Sequence, residues 1–203
     1  MEEKESTNYK IARKISDIFN AMTFGLIMGI LLSFCHPQVY NPWLIFLVAF
    51  FLMAFAPSAV MVWAIKKGKT DFDFTDRESR TPFYIATESS YIAGVLVFSP
   101  LVLPSWSIFC LALVSSLLTG LMTLINLKWK ISAHLAGAAG PAAGIAYVFG
   151  PWTLLLTGPV IAAVWWSRIY LKKHTPLQAM LGLVLAVACY TFVFLWFYNL
   201  HLF

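Results

Sequence analysis

The sequence predicts an all-α integral membrane protein, a bundle of about seven (six to seven) transmembrane helices. Of its 203 residues, 60% are hydrophobic and only 11% are charged. A soluble domain of this length carries roughly twice that charged fraction, so the chain has too little polar surface to cover a water-facing globule. Long apolar runs recur from end to end, and the charged residues gather between alternate runs.

Seven apolar segments are candidate spans, because a helix needs about 20 apolar residues to cross the hydrocarbon layer. The candidate spans are 17–35, 43–65, 83–103, 106–127, 131–149, 152–171 and 177–199. The fifth and sixth are short, so the count is six to seven. No linker or internal repeat interrupts them, which predicts a single domain over 1–203 with a cytosolic N-terminal segment at 1–16.

The charges alternate between the two sides of these spans. Every lysine and arginine lies in the N-terminal segment or at 66–80, 128–130 or 168–173, and the opposite connections carry no charged side chain. By the positive-inside rule the charged face is cytosolic, with the N-terminus inside and the C-terminus outside. A basic active site on that face would raise the same count. We expect a multi-pass protein of the cell (inner) membrane.

Several other classes of function are disfavoured. Cys35, Cys110 and Cys189 are far apart in apolar runs, which predicts neither a disulfide framework nor a metal site. We expect no metal, no other cofactor and no nucleic-acid partner, because the net charge of +5 is distributed over span ends. The first apolar run lacks a small-residue cleavage site, so we expect a retained helix.

Three polar clusters at span ends share the charged face. They are DRESRTP at 76–82, KISAH at 130–134 and SRIYLKKH at 167–174. Polar residues at membrane depth are costly and mark functional sites by default. Lysines at span ends often only reach the headgroups, but Ser167 and Arg168 lie inside a span. Two of the four histidines, His134 and His174, fall in these clusters.

The last cluster resembles the third signature of the type 2 phosphatidic acid phosphatase (lipid phosphate phosphatase) superfamily, S-R-x5-H-x3-D. Ser167 and Arg168 are followed after five residues by His174. Gln178 stands in place of the aspartate that orients the histidine in that family. A glutamine carbonyl can still accept a hydrogen bond from an imidazole N–H, but it supplies no charge.

The other two clusters resemble the remaining signatures in the same order, so the similarity covers about residues 66 to 185. Ser132 and His134 resemble P-S-G-H, with Ile131 for proline and Ala133 for glycine. Arg77, Arg80 and Pro82 resemble K-x6-R-P, with Thr81 inserted before the proline and Asp73 at the lysine position. The chain is thus similar to a divergent member of the superfamily.

The resemblance implies metal-independent phosphoryl transfer. His174 would attack phosphorus to give a phosphohistidine, and His134 would protonate the leaving oxygen. Arginine suits phosphate binding because its planar guanidinium pairs two oxygens at once. We therefore assign Arg168, Arg80 and Arg77 to phosphate binding, with the Ser132 hydroxyl as a further donor.

Supporting residues complete the set. Ser167 precedes Arg168, and Gln178 would orient His174. Glu88 is the only acidic residue well inside a span; it pairs with Arg77 or Arg80, or supplies the carboxylate that Gln178 lacks, and the ion pair is the favoured interpretation. The segment AGAAGPAAG after His134 favours close helix packing, with a slot for a lipid tail as the alternative.

Together these features predict a membrane-embedded lipid phosphate phosphatase. Its substrate would be a phosphomonoester or diphosphate of a lipid, either phosphatidate-like or polyprenyl. Two alternatives stay open: a phosphotransferase, in which an alcohol replaces water, and a non-catalytic relative that binds or transports a lipid phosphate.

Overall fold

The computed structural model describes residues 6–35, 40–70, 77–99 and 102–198. Within these ranges the protein is all-helical, as the sequence predicts, and it has eight α-helices and no strand. The helices are α1 (Thr7–Ile18), α2 (Ala21–Phe34), α3 (Pro42–Lys66), α4 (Arg80–Val97), α5 (Trp106–Asn126), α6 (Ala133–Phe149), α7 (Leu154–Tyr170) and α8 (Pro176–Val193). One π-helical turn, Phe51–Phe55, lies within α3 and another, Phe194–Tyr198, follows α8, while a 3₁₀ turn, Pro151–Thr153, precedes α7.

The first candidate span begins later than the sequence predicts. It was expected at 17–35, but α1 ends at Ile18 and α2 begins at Ala21, with a bend of 43° between them. The Asn20 side chain causes the break, because its oxygen accepts hydrogen bonds from the backbone N–H groups of Met22 and Thr23. The preceding helix, α1, packs against α7.

Fewer helices are suited to crossing a membrane than the sequence predicts. In the described part of the chain, three are long and apolar enough: Pro42–Lys66, Trp106–Asn126 and Pro176–Trp196. The bent pair α1 and α2 makes a fourth if it counts as one span. The structure therefore does not support seven spans.

The other expected spans fall short for identifiable reasons. α2 alone has only 14 residues, and α6 and α7 have 17 each, below the ~20 needed to cross the hydrocarbon layer. α4 has 18 residues, with Glu88 and several hydroxyl residues along its length. Several apolar helices that could span a membrane remain, in accord with a multi-pass membrane protein.

The small residues of α6 allow close packing, which confirms the prediction for this segment. A methyl group at Gly140 would lie 2.6 Å from Cε2 of Tyr190 on α8, and one at Gly144 would lie 2.7 Å from Cε of Met28 on α2. The absence of a side chain at these two positions therefore lets the Tyr190 ring and the end of the Met28 side chain pack directly against the α6 backbone.

Candidate active site

Hydrogen bonds link the first two polar clusters to each other, and the second to the start of α8, at one end of the bundle. The Arg80 Nη1 atom donates to the carbonyl oxygen of Ile131 at 3.0 Å. The Ser132 backbone N–H donates to the carbonyl oxygen of Gln178 at 3.3 Å. A methyl group at Gly182 would lie 2.5 Å from the Ser132 carbonyl oxygen, so α8 passes directly over the start of α6. The beginnings of α4, α6 and α8 therefore meet, as the charge pattern predicts.

The turn after α7 brings the backbone of His174 into contact with Arg168. The N–H of Lys172 donates to the carbonyl of Ile169 at 2.9 Å, and that of Lys173 to the carbonyl of Arg168 at 3.0 Å. With Lys172 in the left-handed region at φ 54°, these bonds form a Schellman motif. The His174 N–H also donates to the Arg168 carbonyl, at 3.4 Å, and the His174 residue is only 6% exposed.

Two arginines, a lysine and a second histidine lie close enough to the His174 imidazole to affect its protonation. Burial, and then the positive charges of Arg168, Arg80, Lys130 and His134, lower the pKa of His174 to about 2. The imidazole is therefore neutral at physiological pH and carries a lone pair available for attack on phosphorus. Its Nδ1 atom is buried and has no hydrogen-bond partner among the described residues.

Arg168 is buried at the end of α7, with 1% exposure. Its Nη1 atom donates to the Oγ of Ser16 on α1 at 2.6 Å. Ser16 is itself fully buried. Sequence reasoning missed Ser16 because it lies 152 positions from Arg168 and belongs to no motif. The signal that could have identified it is the amphipathic pattern of 7–18, which suits a helix that packs on the bundle.

Arg80 begins α4 and is 4% exposed. Its guanidinium also interacts electrostatically with the phenol of Tyr84, which lies one turn further along the helix. Lys130 was absent from the predicted site, although it precedes His134 in the same cluster. A positive charge four residues before a candidate catalytic histidine was the signal that could have identified it.

Ser132 and His134 lie at the start of α6. Ser132 is the N-cap, where its hydroxyl oxygen accepts a hydrogen bond from the Leu135 N–H at 3.4 Å. Its hydroxyl proton still provides a donor. His134 lies in the first turn and is half-buried. The positive end of the α6 dipole therefore adds to the surrounding cationic charge.

Arg77 has a different role from the predicted phosphate-binding one. Its Nη1 atom donates to the carbonyl oxygens of Asn126 at 3.2 Å and Leu127 at 2.5 Å. The Asn126 side chain donates in return to the Arg77 carbonyl at 3.1 Å. Arg77 thus caps the C-terminus of α5, where a cation interacts favourably with the helix dipole.

Gln178 and Ser167 also bond locally. The Gln178 Oε1 atom accepts a hydrogen bond from the Thr175 N–H at 3.1 Å, and Thr175 Oγ1 accepts one from the Gln178 N–H at 3.3 Å. This capping box starts α8 and occupies the carbonyl that was expected to orient His174. The Ser167 hydroxyl donates to the carbonyl of Val164 at 2.8 Å, within its own helix.

Glu88 lies away from the site. It is eight residues beyond Arg80 on α4, which places it about 12 Å further along the helix. Its Oε1 atom accepts a hydrogen bond from the Ser116 hydroxyl of α5. Its Oε2 atom has no hydrogen-bond partner in the described ranges. The expected ion pair with Arg77 or Arg80 is therefore replaced by a serine contact between α4 and α5.

A cavity of about 210 Å³ extends from His134 into the bundle. Side chains of α2, α3, α4 and α5 line it, together with Tyr190 of α8 and several small residues of α6. The lining is mainly apolar, and Tyr84 and His134 contribute polar groups to it. The small-residue segment thus packs tightly on one face and borders a slot on another.

Comparison with protein-family models, with curated proteins and with solved structures gives no match for this chain. Among the residues that the structure describes, no three His, Cys, Asp or Glu side chains are grouped as metal ligands. Asp73, at the position of the family lysine, lies outside the described residues.

Proposed function

We propose that this protein is a membrane-embedded lipid phosphate phosphatase that acts through a phosphohistidine at His174. One observation carries the proposal: His174 is buried against Arg168, to whose carbonyl its backbone N–H donates at 3.4 Å, and Arg168, Arg80, Lys130 and His134 all lie close enough to lower the pKa of its imidazole. Arg168 and Arg80 are both buried, the burial of a charge is costly, and a phosphate dianion is a ligand that this arrangement would stabilise. Perturbed histidines beside such partners are candidates for catalysis.

The two histidines divide the chemistry between them. The lone pair of the His174 imidazole forms an N–P bond while the bond from phosphorus to the leaving oxygen breaks, and protonated His134 gives its proton to that oxygen. Water then attacks the phosphohistidine, the N–P bond breaks, inorganic phosphate leaves and His134 takes up a proton from the water. No metal takes part in this scheme.

Arg168 and Arg80 would hold the phosphoryl oxygens. Both guanidinium groups are nearly fully buried, so their attraction for an anion is less screened than at a surface. Ser132 and the first backbone N–H groups of α6 offer further donors. Lys130 adds a cation that the sequence-based set did not include.

The cavity beside His134 supports a lipid as the substrate. Its mainly apolar walls suit an acyl or prenyl tail, with the phosphate held at the cationic end. In this proposal the shorter helices α2, α4, α6 and α7 also lie within the bilayer, giving about seven membrane segments. The site faces the cytosol at the cell (inner) membrane, and the C-terminus lies on the other side.

A second candidate function has one observation in its favour. The buried Nδ1 atom of His174 has no hydrogen-bond partner among the described residues, and the Gln178 carbonyl serves the capping box. A nucleophilic histidine is normally held by such an acceptor. A protein that binds or transports a lipid phosphate without cleaving it does not need this acceptor.

Phosphate release in detergent distinguishes the two functions. Phosphatidate, phosphatidylglycerophosphate and a polyprenyl diphosphate are offered to the wild type, to His174→Ala and to His134→Ala. The proposal predicts release from at least one lipid by the wild type and a loss of at least about 100-fold in each variant. Lipid binding without release would favour the non-catalytic function, and release unchanged by both substitutions would exclude the mechanism.

A further inference from the structure

Ser16 of α1 makes a hydrogen bond to the most buried cation of the candidate site. Its Oγ atom accepts from Arg168 Nη1 at 2.6 Å, a short distance for a bond to a charged donor. Ser16 is fully buried, and Arg168 is 1% exposed. A buried hydroxyl and a buried guanidinium that meet from distant parts of the chain constrain each other strongly.

The helix that carries Ser16 is fixed against the bundle. Ile15 and Phe19, on either side of Ser16, pack against an apolar cluster formed by Leu135, Val164 and Ala179. These three residues belong to α6, α7 and α8, which carry or adjoin His134, Arg168 and His174. The position of the Ser16 hydroxyl is therefore set relative to all three helices at once.

We propose that Ser16 is a positioning residue, which holds the Arg168 guanidinium in the orientation that binds the phosphoryl group. This inference rests on the proposed function. An arginine side chain has several rotatable bonds, and fixing one of its nitrogens reduces the conformational freedom that is lost when phosphate binds. A small misplacement of such a group weakens binding and catalysis strongly.

The first test uses orthovanadate, a phosphate analogue, titrated calorimetrically into the full-length protein in detergent. Ser16→Ala should weaken vanadate binding about tenfold, because a hydrogen bond to a charged group is lost. In an Arg168→Ala background the same substitution should have no further effect, since Ser16 acts through Arg168. The control Ser33→Ala removes another fully buried hydroxyl, on α2, and should leave binding unchanged.

A second pair of variants separates positioning from folding. Ser16→Thr and Ser16→Val add nearly the same volume, but only threonine keeps the hydroxyl. The proposal predicts vanadate affinity about tenfold higher for the threonine variant. Equal affinities for the two, or an equal loss from Ser16→Ala with and without Arg168, would overturn the role of Ser16.

The outcomes also distinguish this inference from the proposed function. A wild-type protein that binds no orthovanadate and releases no phosphate would overturn the proposed function, and the role of Ser16 with it. Wild-type binding that survives Ser16→Ala unchanged would overturn only the role of Ser16. For an active protein, the fall in affinity should appear mainly in KM for the lipid phosphate and less in kcat.

Discussion

His174 donates its backbone N–H to the carbonyl oxygen of Arg168 at 3.4 Å, so the candidate nucleophile lies directly against a candidate phosphate-binding residue. The five intervening residues form the last turn of α7 and the left-handed position at Lys172. The turn thus explains the spacing: the chain reverses after α7 and brings the His174 backbone back to Arg168. Both residues are buried.

The pH dependence of stability should reveal the buried imidazole. The pKa of His174 in the folded protein is lowered to about 2, below the unfolded value of about 6.5. The unfolded chain therefore takes up the proton first, and the contribution of His174 to stability is present above about pH 6.5 and lost as the pH falls towards 2. When the pH is lowered from 7.5 to 5, the free energy of unfolding should fall by about 2 kcal/mol more in the wild type than in His174→Gln. Unfolding in detergent measures this difference, and identical pH profiles would contradict it.

Truncation of Arg77 should mainly lower stability, whereas truncation of Arg80 should mainly lower activity. Arg77→Ala removes a cap from α5 and should lower the free energy of unfolding by about 1 kcal/mol, with activity within about threefold of the wild type. Arg80→Ala should lower phosphate release about 100-fold, because a buried donor for the phosphoryl group is lost. The two variants serve as controls for each other in thermal unfolding and phosphate-release assays. A large loss of activity in Arg77→Ala would contradict this capping role and support the predicted role of Arg77 in phosphate binding.

Gly182 should tolerate no side chain. A methyl group there would lie 2.5 Å from the Ser132 carbonyl oxygen, so Gly182→Ala should push α8 away from the start of α6 and destabilise the protein by about 1–3 kcal/mol. Activity should fall with it, because Ser132 and His134 begin α6. Gly158→Ala is the matched control, since no atom lies within 4 Å of the added methyl group. Equal melting temperatures for the two variants would contradict the prediction, because they would show that α6 and α8 can accommodate the added methyl group.

If the proposed function holds, the cavity should determine how the rate of phosphate release depends on tail length. Gly25 lines it, and no atom lies within 4 Å of a methyl group added there. Gly25→Phe should fill part of the slot and lower kcat/KM for a long-chain lipid phosphate about tenfold, while a short-chain analogue changes little. Gly158→Phe adds the same ring to a helix outside the cavity. Equal effects of Gly25→Phe on both chain lengths would argue against a tail in the slot.

The grouping of the site followed from charge alternation, which placed three distant clusters on one face. The resemblance to the third signature put Arg168 and His174 into one cluster, but the turn that brings their backbones together is known only from the structure. The positions of Arg77 and Gln178 were not foreseeable in this way. A polar side chain near a helix end can bind a ligand or cap the helix, and only the tertiary arrangement decides between these roles.

Span ends and long-range partners were also hard to foresee. The break between α1 and α2 depends on one side chain, Asn20, whose capping bonds compete with a continuous helix. The hydrogen bond from Arg168 to Ser16 depends on the packing of α1 against α7, which the sequence did not indicate. Apolar content located the helices, but it did not distinguish a full span from a shorter segment enclosed by its neighbours.

Trapping the phosphorylated protein tests the central claim most directly. A lipid phosphate labelled in its phosphoryl group is mixed with the protein, quenched rapidly in alkali and analysed by peptide mass spectrometry. The account predicts an acid-labile, alkali-stable phosphoryl group on the nitrogen of His174, absent from His174→Ala. Turnover without a label on His174, or full turnover by His174→Ala, would contradict it.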